Sequence, residues 1–234
     1  MTLQSDLESE VKDIYKSAWT EREGRVVPEP ENLKLGNDAV KLDATVLYAD
    51  ISDSTDLVDS EPPLFAAEVY KAYLRCAAKI IKSEQGVITA YDGDRVMVVY
   101  LGDTKNTQAV RSAMKINCAV HEIINPLLKK QYPRKSYQLK QVVGLDASEI
   151  YVARIGVRND NDLVWVGRAA NYAAKLCGFN GRHATYITGN VFNNMNKAVK
   201  YGGDNNDRLM WEQLTWGERN NLRIYGSTWQ WGTA

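Results

Sequence analysis

The chain has 234 residues, of which 44% are hydrophobic and 25% charged, as in an ordinary globular protein. Lysines and arginines number 29, as do aspartates and glutamates, so the zero net charge argues against bulk nucleic-acid binding and against a basic membrane-binding surface. No apolar run approaches the roughly 20 residues that span a bilayer, and the acidic N-terminus lacks the apolar region of a signal peptide. With three cysteines that lack metal-type spacing, we expect a cytoplasmic protein with reduced thiols.

The periodicity of apolar residues predicts alternating helices and strands. Helices are predicted at 5–20, from Pro62-Pro63 to about 83, and at 106–131, 169–177 and 191–195. Strands are predicted at 44–50, 87–91, 95–101, 141–148, 151–155, 163–166 and 186–187. Three regions follow: an N-terminal helix and linker over 1–40, a central domain over 41–200, and an aromatic-rich extension over 201–234. We expect the tryptophans of that extension to have a packing role.

The central order strand–helix–strand–strand–helix–strand predicts an α+β fold of the ferredoxin-like type. In that plan the strand at 95–101 lies beside the strand at 44–50 and runs antiparallel to it. The end of one strand then neighbours the start of the other. Asp50 and Asp94, far apart in the sequence, would therefore meet at one end of the sheet.

An acidic residue at the end of a buried strand is costly unless something there needs a negative charge. The two carboxylates, with the backbone carbonyl of Ile51, could hold two hard cations, Mg²⁺ or Mn²⁺, and through them a nucleoside triphosphate. The alternative is that Asp50 and Asp94 only cap strands or form turns. Asp53 and Asp92 are interpreted as turn residues rather than metal ligands.

The segment after Ile51 is rich in small polar residues and precedes a helix. We expect it to bind phosphate oxygens through backbone N–H groups and polar side chains; its residues are Ser52, Asp53, Ser54 and Thr55. If the nucleophile is the 3′-hydroxyl of the substrate itself, binding mainly has to orient that hydroxyl, because an intramolecular attack has a very large effective molarity.

Three segments resemble, in the right order, the motifs of class III nucleotidyl cyclases. They are Val46-Leu47-Tyr48-Ala49-Asp50-Ile51-Ser52-Asp53-Ser54-Thr55, Gly93-Asp94-Arg95-Val96-Met97, and Trp165-Val166-Gly167-Arg168-Ala169-Ala170-Asn171-Tyr172-Ala173-Ala174-Lys175. The resemblance covers about 41–195 and implies the cyclase catalytic fold in a head-to-tail homodimer with two shared active sites. It further implies that Asp50 and Asp94 come from one protomer and that Asn171 and Lys175 come from the other.

The sequence departs from the family at positions that matter for catalysis and for base recognition. Lys175 stands where the family usually has a transition-state arginine, so it keeps the charge but loses the bidentate fork. Adenylate cyclases usually have a lysine four residues before the second metal aspartate, and an aspartate or threonine three residues before the glycine of the third motif. Guanylate cyclases have glutamate and cysteine there. This chain has Ala90 and Val164, whose side chains can neither donate nor accept a hydrogen bond.

Retained metal residues combined with a lost purine pair resemble the pyrimidine cyclases of the Pycsar anti-phage systems. That resemblance implies conversion of UTP, or less readily CTP, to a 3′,5′-cyclic mononucleotide that acts on a separate effector protein. Tyr48, Tyr91 and Arg95 are candidates for base contacts. Two alternatives stay open: a purine cyclase with a divergent base pocket, and an inactive cyclase-like module that binds a nucleotide or a partner.

Overall fold

The computed structural model describes residues 2–179 and 181–233. The helices in these ranges are α1 (Leu3–Lys16), α2 (Ser54–Ser60), α3 (Pro63–Ser83), α4 (Lys105–Ala119), α5 (Asn125–Gln131), α6 (Arg168–Cys177) and α7 (Gly189–Asn194). The strands are β1 (Thr20–Glu23), β2 (Asp38–Ile51), β3 (Val87–Asp92), β4 (Arg95–Tyr100), β5 (Gln141–Val157), β6 (Asp160–Gly167), β7 (Thr185–Thr188), β8 (Tyr201–Gly202), β9 (Arg208–Leu209), β10 (Glu212–Trp216) and β11 (Leu222–Ser227). None of these helices combines the length and hydropathy needed to cross a bilayer.

Nine of the strands form one sheet in the order β10-β11-β7-β5-β2-β4-β3, and β1 and β6 pair with the outer parts of β2 and β5. In the central run β5-β2-β4-β3, each strand is antiparallel to the strand beside it. This is the strand arrangement expected of the ferredoxin-like plan, so the α+β prediction is confirmed. The remaining two strands, β8 and β9, pair only with each other.

Both faces of the sheet are covered, because β2 is apolar on each side. Leu47 and Ala49 belong to the core between the sheet and helices α3 and α4. Val46 belongs to the second core, under α6 on the opposite face. Gly144 of β5 permits the close approach of α6, since a Cβ atom there would lie 2.2 Å from the carbonyl oxygen of Ala173.

The N-terminal region differs from the sequence prediction. α1 ends at Lys16 rather than at residue 20, because the Asn37 side chain donates hydrogen bonds to the carbonyl oxygens of Ile14 and Ser17 and so caps the helix. The chain then forms β1, which pairs in parallel with the start of β2 and spans the predicted junction of helix and linker. β2 begins at Asp38, so it crosses the predicted boundary at residue 41.

The strand pair predicted at 141–148 and 151–155 is one continuous strand, β5. It pairs with β2 over 141–153, and its other edge pairs first with β7 and then with β6. Ser148 and Glu149, at the predicted break, lie where β5 changes partner on that edge. Polar residues within an apolar stretch are typical both of a turn and of such a change of partner, so the sequence pattern does not distinguish the two.

The long helix predicted at 106–131 is interrupted by a π-helical turn at Val120–Ile124, after which α5 begins. Pro126 explains the interruption, because proline lacks the N–H that a continuous helix needs and its ring crowds the preceding turn.

The C-terminal segment is part of the sheet and of its core. β11 pairs with β7, and β10 pairs with β11. Trp211 and Trp216 are buried, which confirms the packing role expected for the tryptophans. The last residues lie on α4, where the Asn117 side chain donates to the carbonyl oxygens of Thr228 and Trp229.

Candidate active site

Asp50 and Asp94 meet at one end of the sheet, as the sequence predicted. β2 and β4 pair antiparallel with Ala49 opposite Val96, so the end of β2 lies beside the turn before β4. That turn consists of Gly93 and Asp94, so Asp92, interpreted from the sequence as a turn residue, is instead the last residue of β3. Gly93 adopts a φ of 60°, a conformation that glycine reaches without strain.

The two carboxyl groups are close enough to influence each other's ionisation. Burial and the charge of Asp94 raise the pKa of Asp50 to about 6, although Arg95 opposes the shift. The Arg95 Nε donates to Asp50 Oδ2 at 3.0 Å. One guanidinium at the surface does not compensate for burial and a second carboxylate together, so this corner of the molecule favours additional positive charge.

These residues fit a divalent cation. The Oδ2 atom of Asp94 is buried and has no hydrogen-bond partner among the described residues. A buried carboxylate oxygen without a partner is costly, and an oxygen-seeking cation removes that cost. No group of three or more histidine, cysteine, aspartate or glutamate side chains of metal-binding type occurs in the described ranges. Further oxygen ligands would therefore come from a backbone carbonyl such as that of Ile51, or from a substrate.

The predicted phosphate segment leaves the sheet beside this pair. The Ser52 N–H donates to the carbonyl oxygen of Lys140 at 2.9 Å, which extends the pairing of β2 and β5 by one residue. Asp53 turns the chain in the left-handed conformation, with a φ of 56°. Ser54 and Thr55 then begin α2, a short helix that the sequence analysis did not resolve.

Tyr48, Met97 and Ala90 lie abreast on β2, β4 and β3. Directly opposed residues in a sheet share a face, and the Tyr48 hydroxyl lies 3.1 Å from the Met97 sulfur. Tyr48 and Asp50, two residues apart on β2, point to the same side of the sheet. The face of the sheet beside the carboxylate pair therefore presents a phenol, a thioether and a methyl group. The methyl group of Ala90 stands where purine cyclases have a charged side chain. Arg95, predicted as a base contact, forms an ion pair with Asp50 in this chain, and its contact with a base stays a prediction.

Val164 lies far from the carboxylate pair within one chain. It pairs with Ala153, which pairs in turn with Ala39. Ala39 precedes Asp50 by eleven residues of β2, a separation of roughly 35 Å at about 3.3 Å per residue. The two positions expected to recognise the base, Ala90 and Val164, are thus at opposite ends of the sheet in a single chain.

Asn171 and Lys175 lie four residues apart on the exposed face of α6, whose other face is buried against the sheet. In the described ranges, neither side chain forms a hydrogen bond or ion pair with Asp50 or Asp94. One chain therefore brings Asp50, Ile51, Asp94, Arg95 and Tyr48 together and leaves the α6 residues apart from them.

An ion pair between half-exposed Arg168, at the start of α6, and a buried carboxylate was missed by the sequence analysis. Asp146 of β5 is fully buried and accepts hydrogen bonds from Arg168 Nε at 3.0 Å and from the Thr188 hydroxyl at 2.5 Å. Arg168 also donates to the Ala147 carbonyl oxygen at 2.7 Å. Arg168 lies inside the third motif, but nothing in a single sequence indicated its partner 22 residues earlier.

Comparison with known proteins gives full-length matches. The chain is 47% identical over 232 residues to a uridylate cyclase of Xanthomonas perforans and 46% identical over 233 residues to one of Burkholderia cepacia, in each case over 99% of both chains. A uridylate cyclase of Rhodovulum sp. (strain MB263) is 32% identical over 97% of both chains. The chain belongs to the uridylate cyclase family. No protein-family model matches it.

Solved structures show the fold of the family more broadly. A bacterial light-regulated adenylyl cyclase superposes with a TM-score of 0.68 at 18% identity, covering 86% of this chain and 56% of that one. A guanylyl cyclase superposes with a TM-score of 0.68 at 17% identity, covering 82% and 95%. The adenylyl cyclase of P. aeruginosa gives 0.62 at 19% identity, covering 81% and 95%. The predicted class III cyclase fold is therefore confirmed.

Proposed function

We propose that the chain is a uridylate cyclase that converts UTP to 3′,5′-cyclic UMP and pyrophosphate. The observation that carries this proposal is its likeness, along its whole length, to proteins of that name. The apolar character of Ala90 and Val164 supports it, because a purine site of the usual kind would need polar side chains there. All three relatives named above are uridylate cyclases, which favours UTP over CTP.

Asp50, the Ile51 carbonyl and Asp94 would hold two divalent cations, Mg²⁺ or Mn²⁺. When bound, these cations neutralise phosphate charge and lower the pKa of the attacking hydroxyl. The unpartnered oxygen of Asp94 and the raised pKa of Asp50 support the assignment, since both describe a pair of carboxylates poorly compensated by the chain itself.

The chain's own residues would mainly position the substrate. The segment Ser52–Thr55 would bind the β- and γ-phosphates, and Tyr48 would contact the uracil from the same side of β2 as Asp50. In the reaction the 3′-oxygen bonds to the α-phosphorus, and the hydroxyl proton leaves to solvent. The bond between the α-phosphorus and the oxygen that joins it to the β-phosphorus breaks, which releases pyrophosphate. Lys175 would balance the negative charge that develops on the phosphoryl oxygens.

We propose that the active site is completed by a second copy of the chain. The exposed Asn171 and Lys175, and the roughly 35 Å between Val164 and Asp50 along the strands, support a head-to-tail homodimer in which each site takes Asp50 and Asp94 from one protomer and the α6 residues from the other. The proposal extends to the biological role implied by the family resemblance: a cytoplasmic enzyme whose cyclic nucleotide activates a separate effector during anti-phage defence.

The test is to incubate the purified protein with ATP, GTP, CTP and UTP in turn, with Mn²⁺, and to identify the products by chromatography and mass. We expect cyclic UMP as the dominant product. Dominant cyclic AMP or cyclic GMP would contradict the proposal in favour of a purine cyclase. The absence of any product would contradict it in favour of a nucleotide-binding module.

The metal assignment is tested by Asp94→Ala. Its matched control is Asp92→Ala, which alters another acidic residue of the same hairpin. Asp94→Ala should abolish turnover, and Asp92→Ala, an exposed position, should retain most of it. Near-normal turnover in a folded Asp94→Ala protein would refute the metal assignment.

A further inference from the structure

The hydroxyl group of Tyr73 reaches the backbone of the candidate active site from inside the core. Tyr73 lies on the buried face of α3, one turn after Val69, and is 0% exposed. Its hydroxyl donates a hydrogen bond to the carbonyl oxygen of Asp50 at 3.3 Å. A side chain of the core therefore contacts the main chain at one of the predicted metal ligands.

The pairing of β2 with β5 already provides a partner for this carbonyl. The Ser52 N–H bonds to the carbonyl oxygen of Lys140, and hydrogen-bonded pairs alternate with non-bonded pairs along an antiparallel ladder. Asp50 stands opposite Val142, two residues back on each strand, and so belongs to the next hydrogen-bonded pair. The backbone groups of Asp50 therefore point toward β5.

Neither packing nor hydrogen bonding of the strand thus requires a tyrosine at position 73. Phenylalanine would fill the same space, and a phenol hydroxyl in the core is costly unless it has a partner. The Asp50 carbonyl would remain in the ladder without it. The hydroxyl group adds a second restraint on a backbone group that the sheet already holds.

The other edge of β2 faces the turn that carries Asp94. Because the backbone groups of Asp50 point toward β5, those of Ile51 point to the opposite edge, where β4 lies. The register of β2 with β4 ends at Ala49 and Val96. Continued by two residues on each strand, this register places Ile51 opposite Asp94, so the Ile51 carbonyl faces the second carboxylate.

The carbonyl that Tyr73 contacts belongs to the peptide group between Asp50 and Ile51. A peptide group is planar, so a hydrogen bond to its oxygen restrains the whole group. One end of this plane is the Cα atom that carries the Asp50 carboxylate, and the other end is the Cα atom that precedes the Ile51 carbonyl. The orientation of one peptide group therefore influences two predicted metal ligands.

We propose that Tyr73 is a positioning residue for the metal site. Its hydroxyl group holds this peptide so that the Asp50 carboxylate and the Ile51 carbonyl both face the cation. This role rests on the proposed function, because the cation is the one that the cyclase reaction would use. The hydroxyl acts from the face of the sheet that carries Ala49, whereas the Asp50 side chain points to the other face. It therefore steadies the ligands without occupying the place of the cation.

Tyr100 provides a matched control in the same core. It is 1% exposed, and its hydroxyl donates to the Ser112 hydroxyl at 2.7 Å. It is the last residue of β4, at the opposite end of that strand from the Asp94 turn. Tyr73→Phe and Tyr100→Phe each remove one buried hydroxyl and its hydrogen bond, so a role in stability alone would not separate their metal binding.

Binding of Mn²⁺ alone, measured from the electron paramagnetic resonance signal of the free ion, tests this role without nucleotide or turnover. The parent should bind Mn²⁺, and Asp94→Ala should lose that binding. Tyr73→Phe should bind about three- to tenfold more weakly than the parent, which corresponds to the loss of one hydrogen bond. Tyr100→Phe, remote from the site, should stay within about twofold of the parent.

Turnover of UTP at increasing Mn²⁺ gives a second readout. Tyr73→Phe should need about three- to tenfold more Mn²⁺ for the half-maximal rate, and its kcat at saturating Mn²⁺ should stay within about twofold of the parent. A merely structural loss would lower the amount of active enzyme and leave the Mn²⁺ requirement unchanged.

The outcomes separate this role from the proposed function. Equal Mn²⁺ binding by Tyr73→Phe and the parent, where Asp94→Ala has lost binding, would overturn the role of Tyr73 and leave the metal assignment intact. Equal binding by Asp94→Ala and the parent, or no binding by the parent, would refute the metal assignment itself. A weakening in Tyr100→Phe as large as that in Tyr73→Phe would reveal a general effect of the core and would also overturn the role.

A further measurement uses the parent protein and holds even if Tyr73→Phe does not fold. Tyrosines labelled with ¹³C at Cζ report the hydrogen bonds of their hydroxyl groups by NMR, and Mg²⁺ replaces the paramagnetic Mn²⁺ in the titration. We expect a saturable shift of the Tyr73 signal and a constant Tyr100 signal. A Tyr73 signal that does not respond to Mg²⁺ would contradict the proposal.

Discussion

Single residues at the carboxylate pair illustrate what local sequence reveals. Asp50 and Asp94 could be named in advance because an acid after an apolar strand is unusual and a glycine-containing turn is easily recognised. The ion pair that Arg95 forms with Asp50 could not be named in advance, because it depends on the position of Asp50 on another strand. Strand pairing determines which side chains lie next to each other, and the pairing cannot be read from a single sequence.

The raised pKa of Asp50 predicts a pH dependence of the stability of the metal-free protein. Between roughly pH 4 and pH 6 the folded state binds more protons than the unfolded state, so the free energy of unfolding falls as the pH rises through this range. Asp50→Asn removes this cost. The free energy of unfolding is measured with urea in the presence of EDTA. The value for Asp50→Asn minus that for the parent should rise by about 1–2 kcal/mol between pH 4.5 and pH 7.5, after allowance for the partial exposure of the site.

Asp92→Asn, an exposed aspartate of the neighbouring hairpin, is the control and should show no such gain. If the difference between Asp50→Asn and the parent stays constant with pH, then Asp50 is not destabilised by ionisation in the folded protein.

At the scale of elements, α6 is positioned by contacts that helix periodicity does not reveal. Its buried face follows from the spacing of its alanines, but its start is held by Arg168, which pairs with the buried Asp146, and by the Ala169 N–H, which donates to the Ser148 hydroxyl at 3.0 Å. These contacts fix the helix that displays Asn171 and Lys175. The same lesson applies to β5, where the polar residues inside the strand mark a change of partner.

Arg168→Met should destabilise the protein by about 1–3 kcal/mol, because it leaves the carboxylate of Asp146 buried with the Thr188 hydroxyl as its remaining side-chain partner. The half-exposed position of Arg168 keeps the effect below that of a fully buried pair. Urea unfolding measures the change. Arg158→Met, in the exposed β5–β6 turn, should stay within about 0.5 kcal/mol of the parent.

The double variant Arg168→Met with Asp146→Leu tests the cause. It should recover part of the lost stability, since an apolar replacement of both partners removes the uncompensated charge. Equal losses in Arg168→Met and Arg158→Met would show that the ion pair does not stabilise the attachment of α6.

For the whole molecule, the main finding is the separation of the predicted site residues within one chain. The carboxylate pair lies at one end of β2, Val164 lies beside the other end, and the α6 residues face outward. A catalytic site that needs all of them requires a second copy of the chain.

Mixing two inactive variants tests this arrangement. Asp94→Ala and Asn171→Ala are each expected to be inactive alone, whereas equal mixtures should regain about a quarter of the parent turnover if half of the dimers are mixed and each mixed dimer has one intact site of two. Cyclic UMP formation measures the recovery. No recovery, with mixed dimers confirmed by mass spectrometry, would mean that each site lies within one chain.

The sequence by itself determined the α+β class, most helices and strands of the central domain, the two aspartates and the family, because these follow from local periodicity, turn residues and short motifs. Tertiary structure alone decided the single strand β5, the strands contributed by the N- and C-terminal segments, and the partner of Arg168. It also decided that Val164 lies at the far end of the sheet from Asp50. Each of these depends on pairing between residues distant in the chain, where the energy comes from shared hydrogen bonds and burial rather than from any one residue's own preference.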